Sequence, residues 1–134
     1  MGIRLIKISV IYFLIGVSIG YYMSIAHNYT LTGVHVHINL LGWTALTLAG
    51  IIYYLFPKLA TVKLGFIHFW LHNVGLPIMM ISLAAMILTG NPGFTPGVAI
   101  GATLVVIGVL LFVINVITNL NESDTLINDS IKKD

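Results

Sequence analysis

Cysteine is absent from the 134-residue chain. That excludes thiolate metal ligation, covalent c-type heme attachment and disulfide bonds. Charge is nearly as scarce: Asp, Glu, Lys and Arg make up 7% of the residues, against 58% hydrophobic. The four acids, Glu122, Asp124, Asp129 and Asp134, all lie beyond Asn121, so no carboxylate falls within a long apolar run. Proton pumps and cation-coupled transporters commonly rely on intramembrane carboxylates, so their absence argues against that class. It also leaves nucleophilic or carboxylate acid–base catalysis without support.

What the chain has instead is apolar length. Four stretches, about 5–26, 34–56, 64–88 and 96–118, reach the ~20 residues needed to cross a ~30 Å hydrocarbon core. The expected fold is all-α, an integral membrane four-helix bundle over residues 1–118, with a polar tail at 119–134. The first stretch reads as a span rather than a cleaved signal, because it is longer than a signal core and Met23 to Asn28 offers no small-x-small site. Met1-Gly2 does not complete a myristoylation motif, since Ile6 stands where Ser or Thr is required. Arg4, Lys7, Lys58, Lys63, Lys132 and Lys133 fall on one side of a four-span arrangement, which predicts cytoplasmic termini in a bacterial or archaeal inner membrane.

Breakers set the connections. Phe56-Pro57 ends the second helix, and Gly90 to Gly97 is a turn-rich loop in which Thr95 is the expected N-cap and Pro96 the first helical residue. Pro77 should bend the third helix. Gly16-x-x-x-Gly20 and Gly97-x-x-x-Gly101 are small-residue faces, suited to helix packing or to contact with a flat cofactor or a second protomer.

Ionisable residues inside a span mark functional sites, and here they are histidines. At ~1.5 Å per residue, His37 lies about 5 Å below the outer boundary, with His27 and His35 at or just above it, so these three are expected at one level. His35 and His37 sit ~200° apart on a helix, aimed at opposite faces and unable to chelate one ion. His68 and His72, roughly 7 and 13 Å above the inner boundary by the same rise, share one face with Gly75, Met79 and Met86. Their i,i+4 spacing can clamp a metal. Equally, both rings can be satisfied by carbonyls, by Ser82 or Asn39, or by interfacial water.

The run His35-Val-His37-Ile-Asn-Leu-Leu-Gly42-Trp43, followed by Ala49-Gly50-Ile-Ile-Tyr-Tyr54-Leu-Phe-Pro57-Lys58, resembles the His-x-His helix of the heme–copper oxidase and nitric oxide reductase catalytic subunit. Lys63-Leu-Gly-Phe-Ile-His68-Phe-Trp70 looks like the start of that family's next helix. The resemblance covers roughly residues 33 to 80. It implies that His35 and His37 are heme ligands on opposite sides of the helix, with Gly42 and Trp43 near the porphyrin. The family's copper-binding His-Pro-Glu-Val and His-His elements are missing, and four spans replace at least twelve. A complete oxygen reductase is therefore not implied.

The expected function is a small b-type heme protein of the lipid bilayer, for electron transfer or for binding a diatomic gas such as nitric oxide or oxygen. Homo-oligomerisation would complete the site, with His27, His35 or His37 of a second copy as partner. Two alternatives stand beside it. One is a copper or other metal-ion handling protein using His68, His72 and Met79; the other is a non-catalytic assembly subunit of a respiratory complex.

Overall fold

A computed structural model describes residues 1–121. The polar tail, with all four acids and Lys132 and Lys133, lies almost wholly outside the described residues. Four helices are long and apolar enough to cross a membrane: α1 (Gly2–Ala26), α2 (Thr32–Leu55), α3 (Lys63–Thr89) and α4 (Thr95–Asn119). Each helix starts a little earlier than hydropathy alone marks it, by three residues for α1. The first turn of a helix carries backbone geometry that a hydrophobic window does not register.

Helix ends follow their local chemistry. His27 closes α1 in the left-handed region, at φ 48°, with its N–H bonded to the Met23 carbonyl. Phe56, kept out of the helical region at φ −124° and ψ 76° by the proline after it, ends α2, and Pro57–Thr61 then forms one further helical turn. Thr95 is not the N-cap of α4. A 3₁₀ turn, Pro92–Phe94, runs directly into the helix, and Asn91 caps that turn by accepting from the Gly93 N–H at 2.8 Å. Helix α3 continues across Pro77 to Thr89.

The bundle is two close-packed hairpins laid together. In the first, a Cβ on Gly2 would meet the Gly50 carbonyl, and one on Gly16 would meet the Asn39 side chain, both at 2.6 Å. In the second, a Cβ on Gly75 would lie 2.8 Å from the Gly101 carbonyl, and one on Gly97 would collide with Ser82. Both small-residue faces are thus spent on packing within the chain, which needs backbones to approach closely because lipid supplies no hydrophobic drive between helices. They are not left as contacts between protomers.

Two cores result. Val34, Ile38, Leu76, Met79, Met80 and Val105 fill the half nearer the α1–α2 turn, and Leu5, Leu46, Ala49, Tyr53 and Leu59 fill the half nearer the α2–α3 connection. Outward positions are apolar as well: Ile117, Ile81 and Leu14 are each at least two-thirds exposed. An apolar exterior of that extent suits a lipid bilayer around it. Helix starts and ends meet so that Arg4, Lys7, Lys58 and Lys63 share one end of the bundle. Gly2 lies against Tyr54 there, and Asn115 donates to the Leu59 carbonyl at 2.9 Å.

Candidate functional site

Helix α2 changes form where the histidines leave it. Thr32–His37 is α-helical, Ile38–Ala45 is π-helical, and Leu46–Leu55 returns to α. Such stretches occur mostly at functional or strained positions. Side-chain donors meet two carbonyls at this change of winding. The Asn39 amide donates to the His35 carbonyl at 2.9 Å, and His72 Nε2–H donates to the Leu41 carbonyl at 3.2 Å. The backbone there has partners other than its own ladder.

His35 and His37 do diverge, and their surroundings differ. His35 is half-buried against α1, its Nδ1–H donating to the Gly16 carbonyl at 2.8 Å. A Cβ on Gly20 would stand 2.7 Å from the His35 ring, so that glycine exists as the notch the imidazole fills. Since Nδ1 is the donor, the Asn39 amide nitrogen 3.4 Å away is a packing contact, not a second bond. His37 is exposed, and its Nδ1–H donates to the Gly33 carbonyl one turn earlier at 2.7 Å. That bond fixes the tautomer and leaves the Nε2 lone pair facing outward.

Below His37 runs a groove of about 360 Å³, lined by Leu41 of the same helix, Met79 of α3, and Ala102, Val105 and Val109 of α4.

His27, His35 and His37 are not at one level, contrary to expectation. Thr32, at the start of α2, lies beside Met23, so α1 overshoots by about a turn before the chain folds back. His35 meets Gly20 and Gly16, seven and eleven residues below His27, which at ~1.5 Å per residue is at least about 10 Å deeper. His27 itself is exposed in its turn. Gly42 does not leave open room either, for the Tyr12 ring occupies the space its side chain would take. Trp43 stacks on Phe13 with ring centres 4.6 Å apart.

His68 and His72 are each 1% exposed, sealed between α2, α3 and α4. Their rings stand edge to face at 5.6 Å and 84°. His68 Nδ1 shares a hydrogen bond with the Tyr53 hydroxyl at 2.9 Å, beside Phe112 and Asn115. His72 Nδ1 has no partner, an orphan acceptor in the protein interior. Tyr53 and Asn115 escaped the sequence reading. Asn115 is a lone polar residue in an apolar run, and that was the available signal.

A b-type heme can be tested against this geometry. His37 would be the residue to hold it, since one ring nitrogen is held by a carbonyl, the ring is exposed and an apolar groove adjoins it. His35 would not, because its ring is pressed into α1 and a porphyrin there would have to part the first hairpin. Among the described residues no three of His, Cys, Asp and Glu cluster in a way that could hold a metal ion.

The fold defines the class, a multi-pass helical membrane protein, and among the described residues the His37 imidazole lies beside an apolar groove. Comparison with protein-family models, with curated proteins and with solved structures finds no match to this chain.

Proposed function

We propose that this chain is a small membrane b-type heme-binding protein, related to the heme–copper oxidase catalytic subunit, serving electron transfer or diatomic gas binding. The supporting observation is the state of His37: exposed, with Nδ1–H held by the Gly33 carbonyl and Nε2 unoccupied at the mouth of an apolar groove. Metal-ligating histidines almost always donate their other N–H to a carbonyl, carboxylate or water, which orients the ring and raises its basicity. Leu41, Met79 and Val105 exclude water from beside it. Heme bound there supplies a one-electron couple, or an open coordination position for a gas.

One chain presents one such ring to the bilayer. A second copy, related by a twofold axis, supplies the opposing histidine or closes the groove, as symmetric assembly of small proteins commonly does. The basic end of the bundle faces the cytoplasm of a bacterial or archaeal cell, placing His37 near the outer surface.

The test is a reduced-minus-oxidised spectrum of protein purified after heme-replete expression, with heme and mass determined per protomer. A Soret and α-band change that His37→Ala removes and His35→Ala leaves in place supports the reading. No such change in the wild type overturns it. Copper or zinc bound without porphyrin absorbance would favour metal handling at His68 and His72. Co-purification with a larger respiratory complex that tolerates every histidine variant would favour an assembly subunit.

A further inference from the structure

The basic end of the bundle holds three adjoining hollows, and Ala60 lines all of them. One of about 370 Å³ opens between Arg4 of α1 and Phe66, Phe69 and Trp70 of α3. A second of about 440 Å³ continues past Phe66 to Lys63. The third, about 720 Å³, extends from Arg4 back to Pro57 at the end of α2. They surround one small side chain and are rimmed by two cations from different helices.

Two properties define what fits. The first is charge. No carboxylate side chain occurs among the described residues, so neither Arg4 nor Lys63 has an acidic partner there. The second is the wall. Phe66 and Trp70 are 57% and 52% exposed, with ring centres 6.4 Å apart, and Ile67 beside them is also exposed. The cleft therefore has a cationic rim at the membrane surface and an apolar wall that climbs into the hydrocarbon. Aromatic residues favour that boundary level.

We propose that this cleft binds the phosphate headgroup of an anionic phospholipid, with Arg4 and Lys63 on the phosphate and an acyl chain along Phe66, Ile67 and Trp70. Basic pockets between membrane helices on the cytoplasmic side recognise such headgroups, and guanidinium matches phosphate with paired N–H donors. Inorganic phosphate satisfies the rim and leaves the wall unused, so the amphiphile is the better match. The inference is independent of heme binding.

The experiment is native mass spectrometry of the delipidated full chain in mild detergent, titrated with phosphatidylglycerol, phosphatidylcholine or inorganic phosphate. Phosphatidylglycerol binds at least fivefold more tightly than phosphatidylcholine, and millimolar phosphate does not displace it. Arg4→Gln weakens it about fivefold, as expected for one cation near an anionic headgroup. Ala60→Leu fills the shared hollow without changing charge and weakens it at least as much. Lys7→Gln, an exposed cation on α1 outside all three hollows, leaves it unchanged. Equal binding of the two lipids overturns the proposal, and so does full displacement by phosphate. A Lys7→Gln loss equal to that of Arg4→Gln also overturns it, by reducing the effect to diffuse surface attraction.

Discussion

The groove beside His37 and the buried cluster of His68 and His72 use the same side chain in opposite ways. His37 stands exposed on α2 with one nitrogen held and the other unoccupied, whereas His68 and His72 are sealed between three helices and bonded to Tyr53 and to the Leu41 carbonyl. Imidazole chemistry is identical in both places. What differs is whether a ligand can reach the ring, and helix packing decides that. A histidine that pins helices is worth stability, and an exposed one bonded only within its own helix is worth almost none.

That contrast predicts a ranking of substitutions, each read as a shift in thermal or denaturant unfolding of detergent-solubilised protein. Gly101→Val should cost most, about 3 kcal/mol or more, because any Cβ there strikes the Met79 backbone and the Gly75 carbonyl and forces the second hairpin apart. Tyr53→Phe should cost about 2 kcal/mol by leaving buried His68 Nδ1 without its partner. If it costs nothing, the buried cluster is not a structural pin.

His35→Ala should cost about 1 to 2 kcal/mol, from loss of the bond to the Gly16 carbonyl and from the emptied glycine notch. His72→Leu should come out within about 1 kcal/mol, because it gives up one hydrogen bond but also removes the unsatisfied Nδ1. His37→Ala should change stability by less than about 0.5 kcal/mol, as for an exposed side chain bonded only within its own helix. A large loss there would erase the distinction between the pinned and the exposed histidine.

How much was legible varies by residue. Hydropathy found all four helices because crossing a bilayer demands an uninterrupted apolar length, and the cation pattern found the shared basic end. The angle between His35 and His37 was legible because helical periodicity fixes it before any packing. Their depth relative to His27 was not, since it depends on how far α1 overshoots the fold-back beside Thr32. Nor was the use of Gly42, whose space Tyr12 takes from a distant part of the chain. The π-helical stretch was equally hidden, for it is accompanied by a carbonyl contact to His72 thirty-one residues later.

Sequence by itself determined an all-helical, four-span architecture, a cysteine-free and carboxylate-free interior, and histidines among the ionisable groups within the spans. Those follow from composition and local periodicity. Only tertiary structure decided which of the histidines within the spans is reachable. Availability of a ring nitrogen is set by what packs against it, and packing joins residues that the chain keeps far apart.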